Sequence, residues 1–85
     1  MSTDLTMQLE TMNEQLTAAF PEQHAVLEGD GYKFEATVVS PEFDGASTLV
    51  RHKKVYAALD SFIKSGELHA LSIKAYSPKE WQAQQ

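Results

Sequence analysis

The 85-residue chain predicts a single α+β domain. Three observations carry that prediction. A helical apolar stripe opens the chain, two β-prone segments flank a Gly-Asp-Gly turn, and a third apolar run leads into a proline-led helix start. The expected order is helix, strand, strand, helix (one or two), strand, short helix. The simplest packing at this length is a three-stranded sheet with helices covering one face. The hairpin strands run antiparallel, and a third strand returning after a helical crossover lies parallel to one of them, which makes the sheet mixed.

Each element has its own signal. Leu5, Leu9, Met12, Leu16 and Phe20 recur at steps of three and four, one face of a helix. Thr3 or Asp4 is placed to cap its start, and Pro21 ends it. Gly29-Asp30-Gly31 then supplies the positive-φ positions of a tight hairpin. Tyr32, Phe34, Ala36 and Val38 alternate with Lys33, Glu35 and Thr37, the pattern of a half-buried strand, and Pro41 closes it. Phe43 is an aromatic stranded among turn residues. From Ser47 the period becomes helical, with Leu49 and Val50 in a short first piece and Val55, Leu59, Phe62 and Ile63 in a longer second one. Periodicity alone leaves open whether "VRHKKV" is continuous helix or a bend. Gly66 reads as the C-terminal cap. At the end of the chain, Ser77-Pro78-Lys79-Glu80 forms a capping box, with Tyr76 and Trp81 at the two positions of a hydrophobic staple.

Composition narrows the function. With no cysteine, the chain has no disulfide, no thiolate nucleophile and no cysteine-ligated metal site of its own. Neither a signal-peptide pattern nor an apolar run long enough for a membrane span is present, so a soluble cytoplasmic protein without a membrane partner is expected. The net charge of −5 is unevenly spread. Residues 1–46 carry nine acids against Lys33, while residues 47–85 carry six bases against three acids. Three of the seven bases sit in Arg51–Lys54, "RHKK". One small basic cluster on an acidic chain is not the broad basic face of a usual DNA binder.

The catalytic signals are absent: no nucleophile elbow, zinc-binding His-Glu-x-x-His, phosphate loop or dinucleotide fingerprint occurs. A non-enzymatic protein is expected. Three histidines, His24, His52 and His69, fall on three different elements. Read as part of the strand, His69 shares a face with Leu71, Ile73 and Ala75, opposite Leu68, Ala70, Ser72, Lys74 and Tyr76. A hydrogen-bonded core histidine is the commoner explanation of that pattern; a metal ligand is the other.

"FDGASTLVRHKKVYAALDSFI", followed by "LHALSIKAYSPKEW", resembles the BolA family. Phe43 and Gly45, Arg51 and His52, His69-Ala70-Leu71, and Pro78 with Trp81 stand in the family's order over about half the chain. Its short acidic Gly-Asp-Gly turn is most similar to the short-loop bacterial members. The resemblance implies an α-β-β-α-α-β-α fold of class II KH type across residues 1–85, with "RHKK" near the junction of two helices. KH modules grip nucleic acid through a Gly-x-x-Gly loop, which this sequence lacks. The resemblance further implies an adaptor in iron-sulfur trafficking and iron homeostasis that binds a monothiol glutaredoxin. The pair would share a two-iron two-sulfur cluster, with glutathione and the partner supplying thiolates and His69 a nitrogen; alone, the chain would carry no cofactor. The family's second ligand, a His or Cys between the first two strands, is missing from Glu28–Gly31, which makes His24 the candidate second metal ligand, with Asp30 or water as the alternatives. Some members are DNA-binding regulators of stress and morphology genes, a second reading that rests on Arg51, His52, Lys53 and Lys54 as a partner or nucleic-acid surface. A weak homodimer is left open.

Overall fold

The computed structural model describes residues 5–22 and 24–84. Its elements are α1 (Leu5–Ala19), β1 (His24–Gly29), β2 (Phe34–Val39), a 3-10 turn (Pro41–Phe43), α2 (Thr48–Ala58), α3 (Asp60–Ser65), β3 (Leu71–Tyr76) and α4 (Pro78–Ala83). The strands form one sheet ordered β1-β2-β3, antiparallel between β1 and β2 and parallel between β2 and β3. The expected α+β order and mixed sheet are therefore present. The cap expected at Thr3 or Asp4 lies outside the described residues.

Register explains where the core sits. Ala25, Leu27 and Gly29 stand opposite Val38, Ala36 and Phe34, which in turn stand opposite Ala75, Ile73 and Leu71. Directly paired residues project to the same side of a sheet, so these nine build one apolar face. The stripe of α1 packs on it with Val55, Leu59 and Phe62 from the later helices, and Met12 and Leu16 are fully buried. On the opposite face His24, Val39 and Tyr76 form a row. Trp81 of α4 reaches over that row, its ring stacked on His24 at 5.1 Å and tilted against Tyr76 at 5.5 Å. Three helices thus cover one face, while the last sends its tryptophan to the other.

Several local expectations shift. The hairpin loop is Asp30–Lys33, one residue longer than the expected Gly29-Asp30-Gly31 turn and shifted along the chain, because Gly29 pairs with Phe34 inside the ladder. Only Gly31 of that turn has positive φ (95°). Gly29 is required for space: a Cβ there would meet the Phe34 ring and lie 2.8 Å from the Lys33 carbonyl oxygen. Tyr32, expected in the strand, sits in the loop. Phe43 is fully buried at the end of the 3-10 turn, its ring 5.6 Å from Phe20.

The "RHKK" segment is uninterrupted helix inside α2, not a helix junction. The break falls at Leu59, whose φ of −110° and ψ of 16° separate α2 from α3. Leu49 and Val50 are 64% and 42% exposed rather than core residues. Residues one turn ahead of buried Val55 lie at i−3 and i−4, so the inward positions belong to Arg51 and His52.

Candidate functional site

His69 is set by the turn between α3 and β3. Gly66 ends α3 in the left-handed conformation (φ 85°), and Leu68, donating its N–H to the Phe62 carbonyl, anchors the segment in the core. Ala70 then takes φ 50°, a region that non-glycine residues seldom occupy. This kink corrects the strand register expected for His69. Extended alternation starts only at Leu71, so Leu68 turns inward and His69 is exposed.

The imidazole is nevertheless held. Its Nδ1 lies 3.1 Å from the Gly66 carbonyl oxygen. A carbonyl can only accept, so Nδ1 carries the proton, and in the neutral imidazole Nε2 is the nitrogen that keeps its lone pair. Tyr32 of the hairpin loop approaches the ring edge-on at 5.7 Å, and Phe34 supports it from below at 6.4 Å. Metal-ligating histidines are commonly oriented in this way, by a carbonyl that holds the ring nitrogen not bound to the metal. Tyr32 carries no sequence signal for this role. The Gly66 carbonyl does, through the helix cap that brings it next to His69.

The hairpin loop beside this ring offers one carboxylate. Asp30 Oδ1 accepts from the N–H groups of Tyr32 and Lys33, both at 2.8 Å, and these bonds, Lys33 foremost, hold its pKa below the ordinary 3.8. Among the described residues no three His, Asp or Glu side chains gather as a metal site.

His24 does not join His69. It pairs with Val39 at the opposite end of the sheet, whereas the His69 loop adjoins the Gly29–Phe34 end. Five strand residues separate the two ends, about 17 Å at the usual rise. With its ring stacked on Trp81, His24 is a packing residue of the far face and is not brought together with His69.

Arg51 also departs from its expected role. Its side chain is only 13% exposed and runs into the fold. Nε donates to the Ala46 carbonyl at 3.0 Å and Nη1 to the Ala75 carbonyl at 3.0 Å. Both terminal nitrogens grip the Glu80 carboxylate, at 2.6 and 3.1 Å, and the guanidinium stands 5.9 Å from the Phe43 ring centre. The Arg51 bond, then the Ser77 backbone N–H, pulls the Glu80 pKa down from the ordinary 4.5 to about 2. Arg51 thus ties α2 to β3 and α4 and is not available to a nucleic acid. His52 is half-buried, Lys54 pairs with Glu42 at 3.2 Å, and Lys53 is exposed. Of the four residues, only Lys53 and Lys54 present ammonium groups at the surface.

No helix among the described residues is long and apolar enough to cross a membrane. The family model for BolA-like proteins matches residues 5–80. The chain is 41% identical over 59 residues to the acid stress protein IbaG of Escherichia coli K12, covering 69% of this chain and 70% of that protein. It is 40% identical over 75 residues to an uncharacterized protein from the rpoN-murA intergenic region of Acinetobacter guillouiae, covering 88% and 90%. The BolA domain of SufE1 from Arabidopsis thaliana superposes with a TM-score of 0.77 at 30% identity, covering 91% of this chain and 99% of that one. With the matched segment running from α1 through the Glu80 that Arg51 holds, the chain belongs to the BolA-like protein family.

Proposed function

We propose that this protein is a non-enzymatic adaptor in iron-sulfur cluster handling. It binds a monothiol glutaredoxin and shares a two-iron two-sulfur cluster with it through His69 Nε2. The observation that carries the reading is the exposed imidazole with Nδ1 committed to the Gly66 carbonyl, which leaves the other nitrogen as a lone-pair donor. The chemistry of the chain is consistent with a shared site. Without cysteine it cannot hold such a cluster alone, and a thiol-bearing partner with glutathione supplies the sulfur ligands. Replacing thiolate by imidazole raises a cluster's reduction potential, which suits a cargo that is to be passed on.

The test is a titration of cluster-loaded monothiol glutaredoxin and glutathione with this protein, followed by visible circular dichroism. Spectral change saturating near equimolar ratio, lost in His69→Ala and retained in His24→Ala, is the expected result. An unchanged spectrum with the native chain rejects the shared cluster. Equal change with His69→Ala rejects His69 as the ligand.

A further inference from the structure

An exposed imidazole with a single hydrogen bond is free to swing. The Nδ1 bond to the Gly66 carbonyl fixes one ring atom of His69, but the ring plane still turns about that bond through its two side-chain torsions. A pair of aromatic rings from the hairpin removes the remaining freedom. Tyr32 and Phe34 both stand nearly perpendicular to the imidazole, at interplanar angles of 80° and 81°. Their burial separates them. Phe34 is 2% exposed and belongs to the core, so its contact with His69 comes with the fold. Tyr32 is 66% exposed, too little buried for core packing to explain its place. The backbone around it is built to present it there. Asp30 Oδ1 accepts from the N–H of Tyr32 itself and from that of Lys33, and the Asp30 N–H donates to the Lys33 carbonyl at 3.2 Å. Gly31, with φ of 95°, lies against the Leu5 side chain of α1. Two residues beyond Tyr32, the Phe34 N–H donates to the Ala70 carbonyl at 3.0 Å. Ala70 follows His69 directly, so that bond locks the segment carrying Tyr32 to the segment carrying His69.

We propose that Tyr32 is the positioning residue of the His69 site: its ring holds the imidazole against the Gly66 carbonyl and so keeps the Nε2 lone pair in one direction. The working part is the aromatic ring and not the hydroxyl, because the contact is ring to ring. Neither Tyr32 nor its loop donates a ligand in this arrangement; the loop supplies the constraint and His69 the nitrogen. The inference rests on His69 being the cluster ligand and adds the residue that makes it competent. A ligand group that occupies its competent orientation only part of the time binds more weakly by that fraction. An edge-on aromatic contact is strong enough to shift such a population by about 2- to 10-fold.

Tyr32→Phe and Tyr32→Ala, each read in two ways, test it. In the isolated protein, long-range proton–nitrogen correlation spectra of the neutral His69 ring report which nitrogen carries the proton. The native chain and Tyr32→Phe are expected to show it on Nδ1, and Tyr32→Ala a mixture of the two tautomers. In the titration of cluster-loaded monothiol glutaredoxin and glutathione, followed by visible circular dichroism, Tyr32→Ala is expected to reach half-saturation at about 2- to 10-fold higher concentration, and Tyr32→Phe at the native one. Because Tyr32 is exposed, the three proteins should share a urea midpoint, which excludes unfolding as the cause. A native tautomer in Tyr32→Ala overturns the proposal. So does a Tyr32→Phe as weak as Tyr32→Ala, which transfers the role to the hydroxyl. A native chain that leaves the cluster spectrum unchanged rejects the shared cluster instead, and the tautomer measurement then decides by itself whether Tyr32 positions His69.

Discussion

Asn13 substitutes for a neighbouring strand. Its amide presents an acceptor to the Leu27 N–H and a donor to the Leu27 carbonyl, as an extended backbone would, and also donates to the Leu9 carbonyl. Removing it leaves two half-buried main-chain groups unpaired. Asn13→Ala is therefore expected to lose about 1–2 kcal/mol of stability by urea unfolding. Asn13→Asp keeps the acceptor but turns an anion toward the Leu27 carbonyl, so it should recover none of the loss. An Asp variant as stable as the native chain would show that only the Leu27 N–H matters. His69 is the opposite kind of residue. It is exposed and bonded only within its own turn, so His69→Ala should change stability by no more than about 0.5 kcal/mol. The same unfolding measurement then certifies that any lost cluster signal in that variant reflects the missing nitrogen. None of this could be read at Asn13 from its place in the sequence, because an asparagine on a helix flank shows no pattern until the strand beside it is located.

The last helix was legible in the sequence because everything that starts it is local. Ser77 accepts from the Glu80 N–H, the Glu80 carboxylate accepts from the Ser77 N–H at 2.9 Å, and Tyr76 meets Trp81. What the local signal conceals is that Glu80 also answers Arg51, 29 residues away. That pairing has a pH signature. The folded carboxyl has a pKa of about 2 against an ordinary 4.5, so its contribution is complete above about 4.5 and is lost as pH falls toward 2. Glu80→Gln removes this component at every pH. The urea midpoint of the native chain should fall more steeply than the variant's between pH 4.5 and pH 2, with the gap between them closing as the native carboxyl protonates. Parallel curves for the two proteins would show that Glu80 does not carry the ion pair in solution. The α2–α3 boundary was not legible for a related reason. Leu49 and Val50 look like core residues by composition, but Arg51 occupies the inward position and the chain bends only at buried Leu59.

Over the whole molecule, the element order and the mixed sheet could be read from spacing and resemblance, whereas the exposure of His69 and the relations between the ends of the sheet could not. His24 and His69 become distant only once strand register is fixed, since β1 begins at the far end of the sheet and only reaches the loop that His69 adjoins at Gly29. The buried place of Phe43 was equally hidden, because its turn reads as solvent-exposed until it folds under α1 and α2. That place makes Phe43 a test of how little stability the chain has in reserve. An 85-residue domain buries only a modest fraction of its surface, about 60%. Its total stability belongs toward the low end of about 5–15 kcal/mol. Phe43 is fully buried, touches Phe20 and lies beneath the Arg51 guanidinium, so it joins the core to the Arg51–Glu80 tie. Phe43→Ala should remove about 3–5 kcal/mol, half or more of that reserve, and lower the urea midpoint accordingly with little change in slope. Phe43→Leu, which keeps most of the volume, should lose much less, because the cavity rather than the aromatic ring dominates. If instead Leu were as damaging as Ala, the contact between the ring and the Arg51 guanidinium would be the larger part of what Phe43 contributes.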